Sequence, residues 1–243
     1  MSKWLYDEGK HCGVDYSKAD QAEMYDEQHQ KFRDYEKEFK RMMDFLEFRN
    51  TKDMTLVDMG CGTGATSIFA ANFFKNVYAV DVSDVMIKQA RKKIEHRNIH
   101  NIRFVNAGFL SYRHQAEKVD LVVTKAAFHH LPDFWKQIAL LRINKMLKMK
   151  GLLYIHDVVF HFDPKEHGRK INSWIAGFEK LAGKEFRSEI ETHIREEYST
   201  FAWIMDGMLR RAGFTVEKCE SADEFITEYA CRKVSDLNLE ETA

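Results

Sequence analysis

The stretch Leu56-Val57-Asp58-Met59-Gly60-Cys61-Gly62-Thr63-Gly64 decides the fold of this chain. Three apolar residues surround one acid, and three glycines follow at alternate positions. This pattern is typical of a buried strand that runs into a tight turn, and residues 65–71 after it suit the first turns of a helix. Glycine allows positive φ and lets a ligand approach the backbone, while the amide N–H groups that begin a helix point at whatever lies over the turn. We therefore expect a ligand-binding loop here.

The glycines of this loop fit two patterns. Gly60, Gly62 and Ala65 satisfy the G-x-G-x-x-A fingerprint of dinucleotide-binding proteins, which is weak evidence by itself. Asp58 lies two residues before the first glycine, where it disfavours an anionic pyrophosphate and favours a cationic amino group. With Gly64 as the third glycine, the pattern D-x-G-x-G-x-G resembles motif I of class I S-adenosylmethionine (SAM) methyltransferases. A glycine-rich turn without a ligand is the alternative.

The resemblance implies an α/β fold, the Rossmann-like class I methyltransferase fold. It has a seven-stranded, mostly parallel sheet with an antiparallel last strand and helices on both faces. An N-terminal helical cap over residues 1–50 would precede a SAM-binding domain over residues 51–243. The cofactor would be SAM and its product S-adenosylhomocysteine (SAH). The cofactor-binding residues that we expect are Tyr25, Asp58, Gly60, Cys61, Gly62, Gly64, Asp81, Val82, Met86, Gly108, Phe109 and Lys125.

Composition limits the function further. The chain has 243 residues, 37 basic and 38 acidic side chains and a net charge of −1, so no global field favours nucleic acid or an anionic membrane. No run reaches the roughly 18 apolar residues of a membrane helix, and the first residues lack the apolar region of a signal peptide. The four cysteines are scattered without metal-ligand spacing, so we expect free thiols in a reducing cytoplasm.

The second predicted strand, Asn76–Asp81, ends in an acid. Asp81 follows the glycine loop by about 20 residues, the spacing at which a carboxylate can accept both ribose hydroxyls. The alternative role is an N-cap for the next helix, which Ser83 could also fill. Val82 and Met86 would supply apolar surface near the adenine, although methionine at such a position is more often simply core.

The third predicted strand, residues 101–105, leads to a departure from the family pattern. Relatives usually carry an acid after this strand, and its carboxylate binds the adenine amino group. Gly108 stands at that position here. Adenine recognition would then depend on the backbone N–H of Phe109 and on apolar packing, unless another residue such as Asn106 takes over the role.

The N-terminal region is polar and shows helical spacing of apolar residues between Ala22 and Leu46. We expect this helix to pack on the domain. In many relatives a Tyr-Asp pair before motif I lies over the SAM site, and Tyr25-Asp26 matches that pair, although such pairs also arise by chance.

The fourth predicted strand, Val119–Thr124, runs into a second motif. Asp120 to Leu131 is similar to motif IV of many small-molecule methyltransferases, D-x-V-x-x-x-x-x-x-H-H-L. One histidine of such a pair often fixes the loop, and we favour His129 over His130 as the one that faces the site. The fifth strand, residues 151–159, places two more polar side chains at the ligand edge of the sheet. The expected general-base candidates are His129, His156, Asp157 and Tyr198.

Residues 160–198 interrupt the α/β pattern with two amphipathic segments, Lys165–Leu181 and Lys184–Glu197. Because this insertion leaves the carboxyl end of the fifth strand, we expect a helical lid over the acceptor pocket. The alternative for its charged end is a set of solvated surface pairs. The expected acceptor-binding residues are His129, His193, Arg195 and Tyr198.

These features predict a SAM-dependent methyltransferase that moves a methyl group to a small-molecule acceptor by in-line displacement. The sulfonium methyl is already activated, so the protein mainly aligns the acceptor. We expect no metal, because the His-His and His-Asp pairs lack the spacing of a recognised site. The alternatives are a SAM-binding regulatory protein and, less favoured, an NAD(P)-dependent oxidoreductase. Neutral charge and the absence of an Asn-Pro-Pro-Tyr motif after the fourth strand disfavour nucleic-acid methylation.

Overall fold

The computed structural model describes residues 4–10, 12–13 and 33–237. Tyr25 lies outside these described residues. The helices are α1 (Tyr35–Phe45), α2 (Ala65–Ala70), α3 (Asp84–Ile94), α4 (Asp133–Met146), α5 (His167–Ala182), α6 (Lys184–Glu196) and α7 (Ala202–Arg211). The strands are β1 (Thr55–Met59), β2 (Asn76–Asp81), β3 (Ile102–Asn106), β4 (Val119–Lys125), β5 (Leu147–Phe160), β6 (Thr200–Phe201), β7 (Phe214–Ser221) and β8 (Ile226–Lys233). Short 3-10 helices cover Phe128–His130 and Pro164–Glu166.

The strands form one sheet in the order β3-β2-β1-β4-β5-β8-β7, with the two-residue β6 paired to β5 outside this path. The pairs from β3 to β5 are parallel, whereas β8 runs antiparallel to both of its neighbours. The predicted seven-stranded, mostly parallel sheet with an antiparallel end is therefore confirmed. The strand order reverses between β1 and β4, and the crevice at the carboxyl ends of such strands is where open α/β sheets bind ligands.

The central strand β1 is buried on both faces. Val57 packs with residues of α4 and α7, including Leu140 and Leu209. Its neighbour Leu56 points to the other face and packs with the α1 residue Met42. Side chains alternate along a strand, so a strand covered on both sides has a continuous apolar run. The burial of both faces of β1 explains the apolar residues that precede the glycine loop in the sequence. The predicted helices on both faces of the sheet are confirmed.

The described part of the N-terminal region consists of a segment of turns and the helix α1. Residues 4–10 run as turns rather than as helix. Asp34 caps α1 by accepting a hydrogen bond from the backbone N–H of Lys37, and Phe39 is among the α1 residues buried against the sheet. Within these described ranges, no helix combines the length and the apolarity that crossing a membrane requires.

The insertion after β5 consists of α5 and α6, as predicted. Its apolar side chains form a separate cluster around Phe162, Trp174 and Phe225, in which the Trp174 and Phe225 rings stack with centroids 4.6 Å apart. Helix α7 begins only at Ala202, because residues 200–201 are extended and pair with the end of β5 as β6.

Candidate functional site

A cavity of about 470 Å³ lies at the carboxyl ends of the parallel strands. The loops that follow β1, β2, β3 and β4 all contribute to its wall. The predicted cofactor residues that line it are Asp58, Gly60, Cys61, Gly62, Asp81, Val82, Met86, Gly108, Phe109 and Lys125. Gly64 does not line it, since a Cβ at this position would contact the α3 residue Ala90 instead.

The glycine loop turns sharply under the cavity. Gly60 and Gly62 have φ of 72° and 52°, in the left-handed region that favours glycine. A Cβ on Gly60 would lie 2.3 Å from the Cβ of Ala127, so this position is closed by packing. A Cβ on Gly62 would meet no protein atom within 4 Å. The loop therefore leaves open space above Gly62.

Asp81 lies at the end of β2, directly beside this loop. Its Oδ2 accepts a hydrogen bond of 2.8 Å from the Gly62 N–H, and its Oδ1 accepts one of 2.8 Å from the Ser83 N–H. Burial raises the pKa of Asp81 above its ordinary value. Ser83 rather than Asp81 caps α3, since its hydroxyl accepts from the Met86 N–H. Asp81 is thus fixed against the glycine loop and lines the cavity.

The opposite end of the cavity combines an acid with two cations. The buried Asp58 carboxylate accepts a 2.6 Å hydrogen bond from the Ser67 hydroxyl, and burial raises the pKa of Asp58 to about 6. Lys125 Nζ donates to Glu38 Oε2 over 2.8 Å, and Arg33 donates two hydrogen bonds to the same carboxylate. Burial would raise the pKa of Glu38, but Arg33 and Lys125 hold it at about 2. These charges suit a ligand carrying both an amino and a carboxylate group.

Asp157 anchors the loop after β4. Its Oδ2 accepts from the backbone N–H groups of Ala127 and Phe128, and its Oδ1 lies 2.5 Å from His129 Nδ1. Burial would raise the pKa of Asp157, but His129 and the backbone donors hold it well below its ordinary range. Asp157, one of the general-base candidates that the sequence suggested, thus has its oxygens occupied by these donors and does not line the cavity.

His129 lies between two carboxylates. Its Nδ1 faces Asp157, and its Nε2 lies 3.2 Å from Glu197 Oε2. Burial would lower the pKa of His129, but the two carboxylates outweigh it and raise the pKa. His193 contacts the same Glu197 and lies 2.7 Å from the Ser199 hydroxyl. His129 and His193 therefore hold the loop and do not line the cavity, contrary to the sequence interpretation.

His130, and not His129, lines the cavity. Burial and the positive charge of His129 lower the pKa of His130 to about 4. His130 is therefore a neutral imidazole at neutral pH, able to accept a hydrogen bond or a proton. The sequence motif predicted that one histidine of the pair is structural and favoured His129 as the one that faces the site, whereas in the structure His130 lines this cavity.

The ligand atoms of His129, His130 and Glu197 lie within 4.8 Å of one another, a spacing that could hold a metal ion. Two imidazoles and a carboxylate are ligands that zinc accepts. While His129 keeps a proton between its two carboxylates, its nitrogens are not free to bind a metal, and binding would have to release that proton. The expected absence of a metal stays a prediction.

Three further predicted residues lie outside the cavity wall. Arg195 is exposed and paired with Glu196 over 2.7 Å, which matches the surface-pair alternative. His156 lies near Glu228, with Nε2 3.8 Å from Oε1, and does not line the cavity. Tyr198 donates its backbone N–H to the His129 carbonyl oxygen, and its phenol is 40% exposed. None of the three contacts the space beside the glycine loop.

The N-terminal segment, defined here as residues 4–10 and 12–13, forms part of the cavity wall. Glu8, Gly9, Lys10 and Cys12 line the wall, and among the described residues none of the insertion does so. The apolar faces of the insertion pack in a separate cluster around Phe162, Trp174 and Phe225, so the lid that we expected over residues 160–198 does not line this cavity and stays a prediction for the acceptor pocket. Sequence reasoning missed that residues 4–10 and 12–13 border the cavity. Their contacts join residues about 100 positions apart in the chain, and no local motif indicates them.

Comparisons with known proteins find similarity over the part of the chain that contains this site. A family model described as "Methyltransferase domain" matches residues 56–151. An uncharacterised methyltransferase from Bacillus pumilus is 30% identical over 184 residues, which cover 74% of this chain and 79% of that protein. Another from Geobacillus sp. strain WCH70 is 26% identical over 196 residues, covering 80% and 83%.

Among solved structures, an S-adenosylmethionine-dependent methyltransferase from Clostridium acetobutylicum has the same fold. Its TM-score is 0.64 at 14% identity, and the match covers 88% of this chain and 98% of that chain. The region that the family model matches contains the glycine loop, Asp81 and the histidine pair, so the similarity includes most of the cavity wall.

Proposed function

Because this chain belongs to the family of class I SAM-dependent methyltransferases, we propose that it transfers the methyl group of SAM to a small-molecule acceptor by in-line displacement. The observation that carries this proposal is the junction of Gly62 and Asp81 at one cavity. Open space above the glycine and a fixed carboxylate beside it suit a nucleoside whose ribose hydroxyls need an acceptor.

The residues of the cavity fit the parts of SAM in order. Asp81 would accept the ribose hydroxyls, and Val82 and Met86 would contact the adenine. Asp58 would face the amino group of the methionine part, with Lys125 and Arg33 near its carboxylate. When bound, SAM supplies a methyl group that its sulfonium already activates. The protein then has to orient the acceptor and exclude water, which can be worth roughly 7–11 kcal/mol in favourable cases.

A small acceptor fits the enclosure better than a macromolecule does. The cavity of about 470 Å³ lies within the roughly 300–1,000 Å³ of small-molecule sites and would have to hold SAM as well as the acceptor, so the room left for the acceptor is small. The N-terminal segment contributes Glu8 and Cys12 to the wall, and the net charge of −1 gives no attraction for a polyanion. The acceptor would enter beside His130 and Leu131, which line the cavity together with Cys12.

We propose that His130 binds the acceptor and accepts its proton where the acceptor must lose one. Its imidazole is neutral, lines the cavity and belongs to a loop that the His129–Asp157 pair holds in place. His129, His156, Asp157 and Tyr198 are weaker candidates for this role, because their side chains do not line the cavity.

Replacing His130 with alanine should reduce turnover by on the order of 100-fold, within the range that general-base groups contribute. The affinity for SAH should change little, since His130 is not expected to touch the adenosine. The measurement is kcat from SAH release, with Arg195→Ala as the matched surface control. Since the pKa of His130 is about 4, wild-type turnover should not fall between pH 8 and pH 6 on account of this group. Normal turnover in the alanine variant would remove His130 from the proposed mechanism.

Replacing Asp81 with alanine should weaken SAH binding by roughly 1–3 kcal/mol, because the ribose hydroxyls lose their acceptor. Calorimetric titration measures the change, and thermal unfolding without ligand checks that the variant is folded. Asp81→Asn keeps an acceptor oxygen but loses the charge, so its affinity for SAH should lie between that of the wild-type protein and that of Asp81→Ala. An Asp81→Ala variant with wild-type affinity would show that the ribose lies elsewhere.

The proposed activity is tested by a methyl-transfer screen. Small acceptors carrying amine, hydroxyl, thiol and activated-carbon nucleophiles would each be incubated with the protein and SAM, and SAH release measured. We expect release that depends on one small acceptor class. Binding of SAM without release for any acceptor would favour the alternative of a SAM-binding regulatory protein. Release that requires an added protein or nucleic acid would contradict the small-molecule acceptor.

A further inference from the structure

We propose that Glu8 is the acid that recognises the adenine amino group in this chain, delivered by the N-terminal segment to the place of an acid that the loop after β3 lacks. This inference rests on the proposed SAM site and names a residue that determines its base specificity.

The first observation is the hydrogen bonding of Glu8. Its Oε2 accepts from the Leu110 N–H over 2.8 Å, and its Oε1 accepts from the Ser111 N–H over 2.7 Å. These are the donors two and three residues after Gly108. An aspartate side chain at position 108 would accept from the same two N–H groups, as an aspartate that begins a helical turn does. Glu8 thus makes, from about 100 residues away, the bonds of a missing local acid.

The second observation is the space itself. A Cβ built on Gly108 would lie 2.4 Å from both Cδ and Oε2 of Glu8. The carboxylate of Glu8 therefore occupies the volume that a side chain at position 108 would take. Val82 Cγ1 would lie equally close, at 2.4 Å, so glycine at this position leaves room for both Val82 and the Glu8 carboxylate.

The third observation is the place of Glu8 in the cavity wall. Glu8 lines the cavity together with Val82, Gly108 and Phe109. A carboxylate has about four acceptor positions, and the two backbone bonds leave capacity for another donor. An exocyclic amino group placed there would donate to Glu8. A base with hydrogen in place of the amino group would lose that bond.

Aromatic contacts hold the N-terminal segment in this position. The Trp4 ring stacks on Trp135 with centroids 6.3 Å apart, and Tyr6 lies against the same ring at 6.0 Å. The Tyr6 hydroxyl donates to the His130 carbonyl oxygen over 3.4 Å. Glu8 is thus held in place both by the contacts of the N-terminal segment with Trp135 and by its own hydrogen bonds to the loop after β3.

The test compares two probes by calorimetry on the full chain: SAH and its purine analogue, in which hydrogen replaces the adenine amino group and N1 stays an acceptor. Wild-type protein should prefer SAH by about 10- to 100-fold, the range of a hydrogen bond to a charged partner. Glu8→Ala should lower this preference to about threefold or less. Asp7→Asn, an exposed change on the same segment, should keep the wild-type preference.

A transplanted acid separates base recognition from support of the loop. Position 108 must be cleared before an aspartate fits, because its Cβ would also lie 2.4 Å from Val82 Cγ1. The variant E8A/V82A/G108D should regain a preference of about 10-fold for SAH, whereas its matched control E8A/V82A should not. Gly108→Asp alone should weaken SAH binding, since two carboxylates would compete for one place.

The outcomes distinguish this inference from the proposed function. Wild-type protein that binds SAH while Glu8→Ala keeps the full preference for it would overturn the role of Glu8 and leave the SAM site standing. Equal loss of affinity for both probes in Glu8→Ala would show that Glu8 only supports the loop, which also overturns the inference. Wild-type protein that binds neither probe would remove the SAM site, and the inference with it.

Discussion

A Gly62→Arg variant will bind neither SAM nor SAH at concentrations that saturate the wild-type protein. Gly62 borders open space in the cavity, so an arginine side chain would fill the volume that the ligand needs. The side chain would also bring a positive charge beside Asp81 and offer that carboxylate a partner in place of the ribose. Calorimetric titration of both compounds measures the effect, and circular dichroism shows whether the variant is folded.

Two controls separate occlusion from backbone strain in this experiment. Gly62→Ala adds only a methyl group at a φ of 52°, so it should cost roughly 1–2 kcal/mol of stability but retain binding. Gly177→Arg places the same large side chain on α5, where a Cβ meets no protein atom within 4 Å, and it should leave binding unchanged. Wild-type affinity in Gly62→Arg would show that the ligand does not lie over the glycine loop.

Replacing Asp157 with alanine will destabilise the fold by about 3–5 kcal/mol, the typical cost of removing one partner of a buried ion pair. The change leaves His129 without its close partner and leaves the Ala127 and Phe128 N–H groups without an acceptor. Urea unfolding measures the loss in the free energy of unfolding. Glu196→Ala, which breaks the exposed pair with Arg195, should cost less than about 1 kcal/mol.

The destabilisation should also depend on pH. The pKa of Asp157 in the folded protein lies below its ordinary value of 3.8, so its stabilisation is present above about pH 4 and is lost as pH falls through the folded pKa. The pKa of His129 lies above 6.5, so its part is complete below about pH 6.5 and is lost as pH rises through the folded pKa. The difference between wild type and variant should therefore be largest between these values. A cost below 1 kcal/mol there would contradict the anchoring role of Asp157.

The sequence predicted the features that local chemistry determines. The glycine loop, the acid that ends β2 and the alternation of core strands all leave a signal within a few residues, because positive φ, burial and strand period act locally. The antiparallel end of the sheet followed from the family resemblance. These features account for the fold and for most of the cavity wall.

The errors concern choices that depend on distant partners. His130 rather than His129 faces the cavity because His129 pairs with Asp157, which lies 28 residues away in the sequence. Glu197 reads as a surface charge in a polar run, yet it is buried against His129 and His193. The two-residue β6 is too short to produce a periodic pattern and forms only because β5 extends to meet it.

The part of the chain that borders the cavity beside the strand ends is the clearest example of a choice that depends on distant partners. The insertion after β5 has the length and amphipathic pattern of a lid, but its apolar faces are used by the Phe162, Trp174 and Phe225 cluster. Glu8 and its neighbours have no comparable pattern, since their position depends on the loop after β3 and on Trp135. A short polar segment that packs by a few specific contacts leaves little trace in composition or periodicity.

Calorimetric titration of the wild-type protein with SAH and NADH in parallel tests most directly whether the cavity beside Gly62 and Asp81 binds SAM. We expect binding of one SAH per chain at low-micromolar to submillimolar affinity and no heat of binding for NADH. Binding of NADH with no binding of SAH would contradict it.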